Sequence, residues 1–267
     1  MAFPNLESIK KIEHQYRTGE EPVLVTCSDM STYVCKYMRS STSAFKLACE
    51  LIGAQMASAW QLKTPDTALV RIKQEHWTGI FVQHSISAPA FGSKLMNGVV
   101  DITPSTFNKV DATPSLLIQL LTIALFDFWI ANEDRNANNA NLLYDIVNAN
   151  FVSIDYGCIL NTATFEFSMS QLTMTDTILW SDLFHHIVEG QQRMAINYAY
   201  NDLHSKYVAF LKNSRMCVKK ILNNIPKEWN VPNSIIEDKL MQLFDSKWTN
   251  GVWDNFIECL KGNIEDE

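Results

Sequence analysis

Trp129-Ile130-Ala131-Asn132-Glu133-Asp134-Arg135-Asn136-Ala137-Asn138-Asn139-Ala140-Asn141-Leu142-Leu143, followed by Val152-Ser153-Ile154-Asp155-Tyr156-Gly157, is the part of the chain whose reading decides the rest. The first stretch leaves a long apolar run opened by Pro114, a residue suited to the first turn of a helix because the N–H it lacks would find no partner there. A buried helix is therefore expected over residues 114–131, and a polar loop over 132–139. Short strands over 142–146 and 151–154 flank the turn Asn148-Ala149-Asn150, and Asp-Tyr-Gly closes the series. Taken alone, such a loop is a turn whose Asn and Asp side chains cap backbone groups. The order of buried helix, polar loop, hairpin and Asp-x-Gly makes it a candidate catalytic loop.

Working outward, residues 23–27 and 32–38 read as strands around Ser28-Asp29-Met30-Ser31, a β-hairpin. A short helix is expected over 6–16, with Ile9, Ile12 and Tyr16 on one side, ended by Arg17-Thr18-Gly19-Glu20-Glu21-Pro22. A second helix is expected over 44–60. Its residues Phe45, Leu47, Ala48, Leu51, Ile52, Met56 and Ala59 follow the 3.6 period, and Ser43 is placed to cap it. Residues 68–72 and 79–84 read as further strands. Residues 85–113, rich in Pro, Ser, Thr and Gly, read as a connector with at most short helices. From about residue 179 the pattern is helical to the end, with breaks near Pro226 and Pro232. The expected fold is α+β and two-lobed. Residues 1–85 form a small β-rich N-lobe with one helix, residues 86–267 a larger, mostly helical C-lobe, and a ligand site is expected in the cleft between them.

Bulk properties narrow the function. The 267 residues are 47% hydrophobic, enough for a core and too apolar for a disordered chain. No stretch reaches the roughly 18 apolar residues of a membrane helix; the best candidate, residues 116–131, is too short and carries Gln119 and Asp127. The N-terminus lacks a basic region leading into an apolar run, so no secretory signal is expected and the cytoplasm is the expected compartment. The formal charge of −7 argues against direct nucleic-acid binding, and Arg215, Lys219 and Lys220 read as a solvated helix face. The six cysteines are scattered singly with no C-x-x-C pair, which excludes a zinc cluster or thioredoxin-type motif and suits buried thiols. His185 and His186 read as ordinary helix residues, and Trp248 and Trp253 as packing aromatics.

A protein kinase presents a catalytic-loop Asp, an Asn five positions later, a hairpin and then Asp-Phe-Gly. Here Asp134 stands five residues before Asn139, and Asp155-Tyr156-Gly157 follows the hairpin. The grouping suits ATP, whose dense negative charge Mg²⁺ bridges through oxygen ligands. Asp155 would hold the metal, Asn139 would offer a neutral oxygen for a second metal position, and Asp134 would accept the proton of the attacking hydroxyl. Lys36, in Tyr33-Val34-Cys35-Lys36-Tyr37-Met38, sits in an apolar strand where an ammonium needs a partner, unless it lies on the exposed face of an edge hairpin. Glu50, among apolar residues of the following helix, is the candidate partner, as in kinases whose strand lysine contacts the α- and β-phosphates. Gln83 and His84 end the expected fourth strand, where a kinase hinge holds adenine through backbone groups.

On these residues the chain resembles the HipA-like kinases from about residue 23 to 160, most sharply over 131–143 and 153–157. The helix with Glu50 and the segment Leu62-Lys63-Thr64-Pro65-Asp66 also resemble that family. The resemblance implies an ATP- and Mg²⁺-dependent Ser/Thr kinase with Asp134 as base, Asn139 and Asp155 as metal ligands and Lys36 as the ATP lysine, partnered by Glu50. It also implies a protein substrate and, since some members are growth-arresting toxins, an antitoxin-type partner. Two departures stand out. No Gly-x-Gly-x-x-Gly loop lies between the first two strands, the turn at 28–31 having no glycine. Asn136 also stands where related loops often carry histidine or lysine, so that either Arg135 compensates or turnover is slow. A small-molecule kinase and a nucleotide-binding pseudokinase are the alternative readings.

Overall fold

The computed structural model describes residues 3–39, 41–77, 87–161, 168–189 and 191–265. Strands β1 (Asn5–Glu7), β2 (His14–Gln15), β3 (Val23–Thr26) and β4 (Thr32–Lys36) precede helix α1 (Ser41–Ala59). Strands β5 (Thr67–Arg71), β6 (Ala90–Lys94) and β7 (Val99–Asp101) then lead to helix α2 (Pro114–Ile130). The hairpin β8 (Leu142–Asp145) and β9 (Asn150–Ser153) comes next, and helices α3 (Asp182–Glu189), α4 (Arg193–Asn224), α5 (Asn233–Gln242) and α6 (Ser246–Glu265) complete the chain. The fold is the expected α+β arrangement, an N-terminal sheet on a larger helical part. No helix of the described residues is long and apolar enough to cross a membrane.

Six strands form the N-terminal sheet in the order β1-β5-β6-β4-β3-β2, with β1 parallel to β5 and the other pairs antiparallel. The helix expected over 6–16 does not form. Its spacing suits a helix, but the backbone finds partners on the sheet instead: Ser8 N–H donates to Arg71 O at 3.0 Å, Ile9 to Thr26 O at 3.0 Å and Glu13 to Leu24 O at 3.0 Å. Tertiary hydrogen bonding overrides a weak local preference. The stretch read as a connector likewise supplies two strands. β6 lies inside the sheet between β5 and β4, so the sheet extends beyond residue 85, and β7 joins β8 and β9 in a second, three-stranded sheet. Ala90-Phe91-Gly92-Ser93-Lys94 lacks the β-branched residues that announce a strand. Gly92 is needed there because an added Cβ would lie 2.8 Å from Val70 Cγ2. The expected strand over 79–84, with Gln83 and His84, lies outside the described residues, and Ser43, expected to cap the helix, falls inside α1, which begins two residues earlier.

Two apolar clusters divide the molecule. The smaller one lies on the sheet around Val23, Val25, Tyr33, Cys35 and Val70. The larger unites α1 with α2 and the C-terminal helices. Trp60, just past α1, is fully buried, with its ring 4.9 Å from Phe210 and 5.2 Å from Trp129, centroid to centroid. The Glu50 helix is thus gripped by the helical part of the molecule as well as by the sheet.

Gly53 sets how closely α1 approaches the Asp-Tyr-Gly segment, since a Cβ there would stand 2.3 Å from Tyr156 Cβ. Gly53→Ala is expected to destabilise the fold by about 1–3 kcal/mol through overpacking, read as a lower denaturation midpoint. An unchanged midpoint would show that α1 and Tyr156 do not meet in this way.

Candidate active site

Helix α2 is apolar almost throughout, and Thr113 caps it by accepting from Leu116 N–H at 3.3 Å. Two of its few polar residues, Gln119 and Asp127, hold the loop and hairpin beyond it. Gln119 accepts from Phe151 N–H at 3.0 Å and donates to Asn150 Oδ1 at 3.1 Å, fixing β9. Asp127, 1% exposed, accepts from Arg135 Nε at 2.8 Å and from Asn132 Nδ2 at 2.8 Å. Burial pushes the Asp127 carboxyl up to about 6 against the pull of Arg135 and Asn132.

Arg135 is fully buried and also donates to three backbone carbonyls, those of Ala140, Asn141 and Ile154. Its guanidinium lies 5.6 Å from the Tyr156 ring centroid. Of the two readings of Asn136, this argues against Arg135 as the compensating cation. A guanidinium spent on Asp127 and three carbonyls organises the loop from within and does not face a transferring phosphate.

Asp134, next to it, is partly exposed, and Asn141 Nδ2 donates to its Oδ2 at 3.1 Å and its carbonyl at 3.3 Å. Asn141 adopts a left-handed backbone, φ +45°, which asparagine tolerates better than most residues. The five-residue spacing in the sequence selects Asn139 and passes over Asn141. Asn139 sits on the exposed tip, paired through its backbone with Asn136 at 3.0 and 3.2 Å.

The second half of the site gathers on Lys36. Its ammonium donates to Glu50 Oε1 and, at 2.8 Å, to Asp155 Oδ1, so strand β4, helix α1 and the segment after β9 meet at one cation. Glu50, 3% exposed, accepts from Tyr156 N–H at 2.9 Å through its other oxygen. Asp155 has φ +58°, and Gly157 leaves room for the three carboxylates around it: a Cβ there would be 3.3 Å from Glu50, 3.6 Å from Asp155 and 3.8 Å from Glu20.

Glu20 was not foreseen. Its Oε2 lies 3.0 Å from Lys36 Nζ and its Oε1 3.3 Å from Lys46 Nζ. Nothing in a charged turn sixteen residues upstream of a lysine reveals that the two touch. Burial disfavours the Lys36 ammonium, yet Glu50, Asp155 and Glu20 hold its pKa well above the ordinary value. Burial pushes Glu50 up to about 8, with Lys36 opposing and the charge of Asp155 adding to it. For Asp155 the cost of burial is outweighed by Lys36 and by a hydrogen bond from Glu50, which hold its carboxyl below the usual range. Negative charge thus concentrates on Asp155, the more accessible of the two.

The residues expected to carry chemistry therefore fall into two linked groups, Lys36 with Glu50 and Asp155, and Asp134 with the loop that ends in Asn139. The link is short: Asn141 O accepts from both Arg135 and Ile154 N–H, the latter at 3.1 Å, and Ile154 precedes Asp155. The residues set aside keep ordinary roles. His186 bonds Val110 O at 2.8 Å, Trp248 donates to Trp129 O at 2.9 Å, and Arg215, Lys219 and Lys220 are exposed.

A sequence model of the HipA-like kinases matches residues 9–248. No curated protein matches the chain. Among solved structures, it is similar to the Helicobacter pylori proinflammatory kinase CtkA, with a TM-score of 0.57 and 15% identity over 96% of this chain and 99% of that one. It is also similar to a Golgi casein kinase, with a TM-score of 0.45 and 11% identity over 95% of this chain and 74% of the other. At 15% identity the likeness to CtkA shows the fold, and that fold is kinase-like.

Arg135→Met is expected to cost about 3–5 kcal/mol, because it leaves Asp127 buried without its cation. Arg135→Lys keeps the charge but not the fork that reaches several acceptors, and is expected to fall between Arg135→Met and the wild type. Chemical denaturation measures both; a methionine variant as stable as the wild type would rule out this pair as the anchor of the loop.

Proposed function

The chain belongs to the HipA-like kinase family, and on that premise we propose that it transfers the γ-phosphoryl group of ATP, with Mg²⁺, to a hydroxyl on a protein. The observation that carries the proposal is the Lys36 ammonium held between Glu50 of α1 and Asp155 after β9. That junction suits a lysine that takes the α- and β-phosphates while Glu50 fixes its position. It requires the sheet, α1 and the Asp-Tyr-Gly segment to be in register at once.

The donor set fits magnesium. Among the described residues no group of three His, Cys, Asp or Glu side chains could hold a metal ion by itself. Mg²⁺ does not need one, since it is commonly bound by one or two protein oxygens together with phosphates and water. Asp155, held anionic and 37% exposed at its side chain, would be the principal ligand, with the Asn139 amide oxygen the second. When bound, the ion would neutralise charge on the phosphates.

The chain's own residues do the remaining work. Asn141 orients the Asp134 carboxylate, which takes the proton from the acceptor hydroxyl as its oxygen bonds to the γ-phosphorus and the bond from that phosphorus to the bridging oxygen breaks, leaving ADP. Arg135, tied to Asp127, keeps the loop that carries Asp134 at a fixed distance from Asp155. The exposed tip at Ala137 and Asn138 suits an acceptor presented on a macromolecular surface.

Labelled ATP, Mg²⁺ and a generic protein acceptor test the proposal, with transfer to the kinase itself measured in parallel. Asp134→Ala, Asp155→Ala and Lys36→Met are each expected to lower labelling by about 10²-fold or more, and chelation of Mg²⁺ to abolish it. Labelling that survives Asp155→Ala would remove the site assignment. Label found only in an added small molecule would replace the protein acceptor with that class.

A further inference from the structure

The loop between β2 and β3, residues 16–22, occupies the place in strand order that a glycine-rich loop takes in protein kinases, two strands ahead of the lysine strand. The glycine-free turn at 28–31 is instead the next connection along. The loop 16–22 holds one glycine, Gly19, at an exposed tip where an added Cβ would meet nothing within 4 Å. Its backbone is therefore not pared down for close approach to a ligand.

What the loop sends into the site is a carboxylate. Glu20 places one oxygen 3.0 Å from Lys36 Nζ and the other 3.3 Å from Lys46 Nζ, so two ammonium groups grip one anion. Both its charge and its two oxygens match what a phosphate offers to paired cations. Lys46 lies in the first turns of α1, its side chain 38% exposed, and Glu20 is the only carboxylate of the described residues within ion-pair reach of it. The loop itself is closed independently of Glu20. Tyr16 N–H donates to Pro22 O at 2.9 Å, and the neighbouring Glu21 pairs with Arg39 at 2.9 Å. Glu20 can therefore leave the lysines without the loop coming apart.

We propose that Lys46 is a second phosphate-binding lysine beside Lys36, and that Glu20 is an internal stand-in for phosphate that occupies both until the nucleotide displaces it. This rests on the reading of Lys36 as the ATP lysine. Two side-chain cations then do what backbone N–H groups of a glycine-rich loop do elsewhere, and Glu20 screens their charge in the nucleotide-free protein. Displacement moves no bond. It exchanges a tethered carboxylate for the phosphates and frees Glu20 to solvent. The apparent affinity for ATP is reduced by the fraction of molecules in which Glu20 holds the lysines.

Calorimetry with Mg²⁺-ATP and, separately, with adenosine tests this on the full chain. Glu20→Gln is expected to bind ATP roughly 3- to 10-fold more tightly and adenosine unchanged. Glu20→Ala should behave alike, so a local effect of the amide would show as a difference between the two. Lys46→Met is expected to weaken ATP about 10-fold, again with adenosine unchanged. In the Lys46→Met background the gain from Glu20→Gln should shrink, because one of the two contacts it frees is gone. ATP binding unchanged or weakened in both Glu20 variants overturns the stand-in role, and wild-type affinity in Lys46→Met overturns the second lysine. If Lys36→Met binds ATP as strongly as the wild type, the reading of Lys36 fails and takes the inference with it. If Lys36→Met abolishes binding while the Glu20 and Lys46 variants match the wild type, only the inference falls.

Discussion

The buried pair of Arg135 and Asp127 is the constraint on which the site's geometry depends. A guanidinium without exposure cannot be left unpaired at tolerable cost, and the chain surrounds it with one carboxylate and three carbonyls. Those carbonyls belong to Ala140, Asn141 and Ile154, so one side chain ties the end of the polar loop to the residue before Asp155. Because Asp127 is fixed on α2, the loop and the Asp-Tyr-Gly segment are referred to the same rigid helix. Asn141 O is shared between Arg135 and Ile154 N–H, so the guanidinium and the backbone bond fasten the same point of the loop.

Upon this frame the charges at Lys36 are set against one another. One ammonium meets three carboxylates. Three full negative charges at such separations would repel strongly where water is scarce, and the repulsion is relieved unevenly. Glu50, the most buried, is pushed toward its neutral form, while Asp155 stays anionic. The more exposed carboxylate, Asp155, is therefore the one that keeps its negative charge, while burial works against charge on Glu50. Gly157 and Gly53 permit this crowding, the first beside the carboxylates and the second beneath Tyr156.

How much of this the sequence disclosed depends on whether the signal was local. The buried helix from Pro114, the loop, the hairpin and Asp-Tyr-Gly lie within forty-four residues and come in order, so their relation survived reading in one dimension. Lys36 and Glu50 were also legible, because a charge in an apolar run must find a partner. The strands β1, β2 and β6 were not. Their pairing is with segments far along the chain, and their composition does not proclaim it. Asp127 and Gln119 were noticed only as blemishes in an apolar run, although they anchor the loop and the hairpin. A polar residue in a buried helix has to be satisfied by something, and the loop and hairpin directly after the helix were the nearest candidates.

The departures from a kinase pattern carry the opposite lesson. A missing glycine-rich loop and an asparagine in place of a cation looked, residue by residue, like losses. In three dimensions the loop ahead of the lysine strand is present, is closed by its own hydrogen bond, and meets the site through Glu20. Backbone N–H groups and side-chain ammonium groups are alternative ways to meet phosphate charge. The first needs glycine and the second does not. Lysine side chains carry a requirement of their own, since two cations brought close must be screened when no phosphate is there. Glu20 lies between Lys36 and Lys46, so an acidic residue in this loop is compatible with a pair of lysines that bind an anion.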